Sequence, residues 1–429
     1  LREAYETLSA ERLAELHGEL SRQYEEVVQE HLSLDMSRGK PAPEQLDLSM
    51  NMLDTVRSDN LHDVEGPDVR NYGGLDGIKE AKVFFAGILG VRPSEVMVGG
   101  NSSLAMMHDT VARALLSGVY GGEVPWMKVP GIKFICPSPG YDRHFAICEH
   151  FNIEMITVDM LEDGPDMDAV ERLVREDGSI KGMWCVPRYS NPEGITYSDE
   201  VVRRLAEMKA KAPDFRIFWD DAYCVHHLTD EPAELANMLE ACREAGNPDR
   251  VLMFASTSKV TFPGSGVAVM AASERNLETI RKQVSFQTIG PDKINQLRHV
   301  RYFPDKDALH EHMRKHAAIV APKFDAVLQI LDEELGGREI ADWKAPKGGY
   351  FISLNTIDGC AREVVRLAGE AGITLTKAGA TYPYGNDPRD RNIRIAPTYP
   401  TLEELKKAMR VLCICVKLAS IRKLQETGA

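Results

Sequence analysis

Four polar residues stand just past short apolar runs in the middle of this chain. They are Asn191 after Met183 to Val186, Asp220 and Tyr223 after Phe215 to Trp219, and Lys259 after Val251 to Ala255. Ligands of open parallel sheets sit beyond the carboxyl ends of the strands, so residues far apart in sequence converge there. The four side chains form a chemical set. A lysine amine condenses with an aldehyde. An aspartate carboxylate holds a proton on a basic ring nitrogen. A tyrosine hydroxyl and an asparagine amide hydrogen-bond a phenolic oxygen. The set suits a cofactor that carries all three groups.

Bringing these residues together requires a sheet. From about residue 75, helical patterns such as Ser198 to Lys211 alternate with short apolar runs. The runs are Ile132 to Cys136, Ile153 to Val158, Ile180 to Val186, Phe215 to Trp219, Val251 to Ala255 and Val267 to Ala271. Most are apolar on both faces, which predicts crossover units and a mostly parallel buried sheet. The rhythm changes after about residue 304. A long helical pattern from Asp307 to Glu334 precedes short strands at Tyr350 to Leu354 and Asn392 to Ala396, with a helix near 361–371 between them. A last helix opens at Thr401-Leu402-Glu403-Glu404, a capping-box pattern. At the start, Leu13, Leu16, Leu20, Tyr24 and Val27 mark an amphipathic helix over 7–30, ended by Ser37-Arg38-Gly39-Lys40-Pro41. The expected fold class is α/β. A large domain over 51–303 holds the mostly parallel sheet. A smaller α+β domain is built from both chain ends, 1–50 and 304–429. Ser117 to Gly131 reads only as a Gly/Pro-containing loop.

The motifs carry a resemblance. Ser256-Thr257-Ser258-Lys259, followed by Pro263-Gly264, resembles the S-x-S-K signature of the fold-type-I aminotransferases that use pyridoxal 5'-phosphate. Asp220-Asp221-Ala222-Tyr223 resembles their D-x-x-Y, and Asn191-Pro192-Glu193-Gly194 their N-P-x-G. Arg394-Ile395-Ala396 resembles the strand that binds substrate carboxylate, and Tyr72 with Gly77 the Y-x-x-x-x-G before the first long helix. These motifs occur in the family's order across residues 70–400. The wording near residue 40 and at Gly290 to Gln296 resembles a bacterial branch of aspartate aminotransferases, related to domains of MocR-type regulators.

The resemblance implies roles. Lys259 would bind the cofactor aldehyde as a Schiff base and then move the α-proton. Asp220 would pair with the ring nitrogen; Asp221 beside it is the competitor, and the spacing to Tyr223 favours Asp220. Tyr223 and Asn191 would hold the phenolic oxygen, and Tyr141 would stack on the ring. The phosphate would rest on Gly100, Asn101 and Ser102 at a helix start, where amides favour anions, and on Ser256 and Ser258. Tyr72 would reach it from a second subunit, so a homodimer with shared sites is implied. Arg394 would hold the substrate α-carboxylate as a planar fork, with Gly39 approaching through its backbone. One departure stands out. Many relatives place an arginine after the Pro-Gly of this loop, and this chain has Gly266 or Val267 there. For the second carboxylate of a dicarboxylic substrate, Arg38, Lys40, Lys293 and Arg298 are the candidates.

The expected reaction is transamination of aspartate with 2-oxoglutarate to oxaloacetate and glutamate. Its partners are amino-acid and 2-oxo-acid substrates. The rivals are an aminotransferase for aromatic or kynurenine-like amino acids, a pyridoxal-phosphate lyase, and a non-catalytic ligand sensor. The last needs a DNA-binding segment, and residues 1–36 are short and not basic. Of 429 residues, 51 are Lys or Arg and 65 are Asp or Glu, a net charge of −14. That balance disfavours nucleic acid and anionic membranes as partners. No apolar run is long enough to span a bilayer, and Leu1 to Glu6 do not read as a secretory leader. The eight scattered cysteines read as free thiols in a reducing cytoplasm. His226-His227 lacks zinc-ligand spacing, so no metal is expected. His310 to His316 reads as a solvated helix face.

Overall fold

The computed structural model describes residues 3–427. The residues that open the 1–50 segment and close the 304–429 segment, two at each end, lie outside the described residues. The main sheet has the spatial order Val96–Val98, Ala268–Ala271, Val251–Ser256, Arg216–Asp220, Ile180–Cys185, Lys133–Ser138, Glu154–Leu161 and Gly164–Pro165. The five strands from Val251–Ser256 to Glu154–Leu161 are parallel. Ala268–Ala271 runs antiparallel to both of its neighbours. The architecture is α/β with a mostly parallel centre, as the alternating runs and helices predict.

The runs lack polar alternation because both faces of the sheet are covered. Ile217 and Trp219 face one core with Met183, Cys185, Met253 and Ala255. Phe218 faces the other with Trp184, Leu252 and Phe254. Helices Lys79–Leu89, Met167–Glu176 and Asp199–Glu207 cover the first face, and Ser103–Ser117, Asp142–His150 and Glu274–Val284 the second. Each large apolar side chain buried this way contributes about 1.5–3 kcal/mol. The loop over 117–131 is fastened to this sheet. Trp126 Nε1 donates to Asp214 Oδ2 at 3.1 Å, and Arg216 Nη2 donates to the Tyr120 carbonyl at 2.5 Å.

A separate core joins the two ends of the chain. Leu13, Leu20 and Met36 pack with residues from Val320 to Leu424. Its antiparallel sheet has the order Ala341–Trp343, Ile352–Thr356, Asn392–Ile395. Leu34–Asp35 pairs in parallel with Ile373–Thr374. Helix Ala10–Gln29 lies against helix Leu402–Thr427. The capping box forms: Thr401 N–H donates to Glu404 Oε2 at 2.9 Å, and Glu404 N–H to Thr401 Oγ1 at 3.3 Å. Helix Lys306–Leu335 belongs to both bodies. Leu309 and Met313 sit in the large core, and Val320 to Leu335 in the small one.

One expectation needs correction. His310 to His316 is solvated only in part: His310, Arg314 and Lys315 are exposed, but His312 and His316 are buried. Their four-residue spacing puts both on the inner side of the helix, where each Nε2 lies 2.9 Å from the Val260 carbonyl. Cys413 and Cys415 are two apart on helix Leu402–Thr427. Both are buried, because helix Leu402–Thr427 is enclosed by the small core.

Candidate active site

The carboxyl ends of the parallel strands open into a cleft of about 620 Å³ between the two bodies. Asp220 is the last residue of strand Arg216–Asp220, and Ser256 the last of Val251–Ser256. Ser258 and Lys259 follow in the next turn. Strand Val96–Val98 runs parallel to these, so the N-terminus of helix Ser103–Ser117 opens on the same edge. Asn191 follows strand Ile180–Cys185, and Tyr141 caps helix Asp142–His150 after strand Lys133–Ser138. Arg394 and Gly39 enter from the small body, Arg394 on strand Asn392–Ile395.

Most of the expected site residues meet in this cleft: Gly39, Asn101, Ser102, Tyr141, Asn191, Asp220, Tyr223, Ser256, Ser258, Lys259 and Arg394 all line it. Gly100 does not; its carbonyl accepts from Ala268 N–H at 2.7 Å and closes the strand edge. Tyr72 also lies apart and is 84% exposed. Of the cations considered for a second carboxylate, only Arg38 lines the cleft. Lys40 covers the Tyr399 ring at 3.8 Å, and Lys293 donates to the Asn71 and Gly73 carbonyls. Arg298 donates to Asn295 Oδ1.

Asp220 is buried and held by His144, whose Nε2 lies 2.9 Å from Asp220 Oδ2. A carboxylate only accepts, so Nε2 carries the proton. His144 in turn stacks on Trp184 at 4.4 Å and meets the edge of Tyr141. The other oxygen, Asp220 Oδ1, is buried without a hydrogen-bond partner among the described residues. Asp221 points to different company: Arg188 Nε lies 3.8 Å away, and burial pushes its carboxyl up to about 6. Burial also lowers the Lys259 amine, opposed by Asp220 and reinforced by Arg394. Lys259 Nζ stands 5.7 and 5.6 Å from the ring centres of Tyr223 and Tyr350. Burial drives the Tyr223 hydroxyl far above its ordinary range, so it stays protonated.

The loop after Lys259 is tight at the residue after Ser265. A Cβ on Gly266 would lie 3.1 Å from the Ser258 Cα and backbone N. Neutral donors gather here instead. Ser256 Oγ and Ser258 Oγ are 3.1 Å apart, and Ser258 Oγ donates to the Asn101 carbonyl. Ser102 caps the helix by accepting from Ala105 N–H.

At the opposite end, Arg394 is buried over the Phe351 ring at 4.6 Å. Its Nη1 contacts Asp142 Oδ1 at 3.1 Å and Asn191 Oδ1 at 3.4 Å. Its Nη2 donates to Thr376 Oγ1 at 3.1 Å and the Ser37 carbonyl at 3.4 Å. Sequence reasoning missed His144, Asp142 and Arg143, the last two of which line the cleft. A signal existed for His144, which lies one helical turn beyond Tyr141.

Solved structures share this fold. An alpha-aminoadipate aminotransferase from Thermus thermophilus superposes with a TM-score of 0.74 at 22% identity, covering 93% of this chain and 95% of that one. The fold is that of the fold-type-I aminotransferases. An aspartate transaminase from Corynebacterium glutamicum superposes with a TM-score of 0.96 at 45% identity, covering 99% of this chain and all of that one. An aspartate aminotransferase of the same species is 47% identical over 411 residues, 96% of this chain and 95% of its own. The family model described as aspartate amino-transferase matches residues 8–427, and the chain belongs to that family.

Proposed function

We propose that this chain is a pyridoxal-phosphate-dependent aspartate aminotransferase, exchanging amino groups between aspartate and 2-oxoglutarate in ping-pong order. The observation that carries the reading is the orphaned Asp220 Oδ1, buried in the cleft that Lys259 and Arg394 also line. A buried acceptor without a donor is costly. A protonated pyridine nitrogen supplies that donor, so the residues present fit the cofactor. Bound there, it would contribute an aldehyde for the amino group and a cationic ring that accepts electrons as the α-proton leaves.

The chain's residues do the rest. Lys259 anchors the cofactor and shuttles the proton at the substrate α-carbon; its lowered amine pKa suits a base. His144 fixes the orientation of Asp220. The Tyr223 hydroxyl and the Asn191 amide donate to the phenolic oxygen, and Tyr141 packs on the ring. Ser256, Ser258 and the amides around Asn101 and Ser102 hold the phosphate. Arg394 takes the α-carboxylate. Arg38 and Arg143, both exposed cations lining the same cleft, suit a second carboxylate and hence a dicarboxylic substrate.

The position of Tyr72 supports assembly as a homodimer. It sits outside its own cleft, on a loop against the segment carrying Phe286 and Ile289, which are 92% and 59% exposed. Such a patch suits a second copy. The eight free cysteines suit a reducing cytoplasm. An amino-donor panel, read by loss of the cofactor's absorbance and by coupled detection of oxaloacetate, tests the function. Aspartate should be the fastest donor. Preference for an aromatic or kynurenine-like donor would overturn the assignment.

A further inference from the structure

Arg394 already holds an anion. Asp142 lines the cleft, and its Oδ1 lies 3.1 Å from Arg394 Nη1. The other partners of this guanidinium are the side chains of Asn191 and Thr376 and the Ser37 carbonyl, all neutral. Among the described residues no other carboxylate forms an ion pair with it. Asp142 is the first residue of helix Asp142–His150, where the helix dipole favours a carboxylate. The turn before it is fixed. Gly140 N–H donates to the Thr381 carbonyl at 2.7 Å, and a Cβ on Gly140 would lie 2.5 Å from the Pro137 carbonyl oxygen. The Asp142 side chain remains 33% exposed, so a ligand can reach the pair.

We propose that Asp142 is a specificity-determining residue, an internal anion that a substrate α-carboxylate must displace from Arg394. This rests on the reading of Arg394 as the carboxylate-binding residue. The exchange is selective by geometry. Asp142 offers one oxygen to one guanidinium nitrogen. A free carboxylate offers two oxygens to the fork, a stronger contact. A ligand without a carboxylate leaves the ion pair in place. The displaced Asp142 then lies beside a second negative charge, which lowers the affinity that Arg394 would otherwise reach.

The test is a titration of the holoenzyme with succinate, a non-reacting dicarboxylate, followed by calorimetry. Asp142→Asn should lower the dissociation constant about five-fold, the scale of a partly exposed ion pair. Asp142→Glu, which keeps the anion, should bind no tighter than the parent. Methylamine, with no carboxylate, should bind parent and Asp142→Asn alike. Asp142→Ser, measured in parallel, carries the comparison if the amide variant does not fold. Unchanged or weaker succinate binding in the uncharged variants would overturn the proposal, and so would equal tightening for methylamine. Arg394→Lys separates the two readings. If it binds succinate as tightly as the parent, the carboxylate role of Arg394 falls, and the Asp142 proposal falls with it.

Discussion

The Arg394 guanidinium is stacked, buried and hydrogen-bonded before any substrate arrives, so in the proposed role truncating it removes a prepared contact. Arg394→Ala should weaken amino-acid and oxo-acid binding alike, by roughly 2–5 kcal/mol, while the cofactor stays bound. Steady-state kinetics for both half-reactions would show it, and unchanged constants for both substrates would contradict the role. The stack beneath Arg394 depends on Gly39. A Cβ there would lie 2.4 Å from Phe351 Cζ. Gly39→Ala should therefore push the ring off the guanidinium and raise KM for both substrates, with little change in melting temperature. At Lys259, borohydride treatment of the holoenzyme should fix the cofactor's mass on the peptide containing that residue. Label on another lysine would end the assignment.

At the scale of elements, the turn after strand Val251–Ser256 meets the start of helix Ser103–Ser117, and together they present hydroxyls and amides with no arginine in the turn. Ser256→Ala with Ser258→Ala should weaken cofactor retention far more than Asp221→Ala does, as a titration of apoprotein would measure. Undiminished affinity in the double variant would mean that a cation from elsewhere holds the phosphate. Beneath this turn sits a layer of neutral histidines. Burial lowers His226 to about 3 and His299 and His316 to about 4, from 6.5. Between those values the unfolded chain binds more protons than the folded one, so stability falls as pH drops from about 6.5 toward 4. His316 faces Gln45, His312 and the Val260 carbonyl, and His316→Gln should make that acid limb shallower in urea midpoints. The sheet and the cleft were legible in the sequence because buried parallel strands are continuous apolar runs, and the cleft residues follow their ends. What escaped had little or no periodic signal, His144 with its one-turn spacing from Tyr141 apart. Val96–Val98 and Gly164–Pro165 are three and two residues long. Asp142 and His144 are polar residues in a helical stretch, and only the packing of Arg394 and Trp184 against them reveals what they do.

For the whole molecule, the exposed Tyr72, Phe286 and Ile289 put the weight on association. Sedimentation should give a dimer whose interface buries more than about 2,000 Å². Phe286→Glu should shift it toward monomer and reduce cofactor retention with it. A fully active monomer would rule this assembly out. The small body imposes a different demand, on synthesis. Helix Ala10–Gln29 packs against helix Leu402–Thr427, about 370 residues later in the chain. At about 5–20 residues per second, the ribosome delivers that partner roughly 20–75 s after the first helix. Throughout that interval Leu13 and Leu20 lack the helix that completes their core, while the large sheet folds. Loss of helix Leu402–Thr427 would strip that apolar face of the element with which helix Ala10–Gln29 packs.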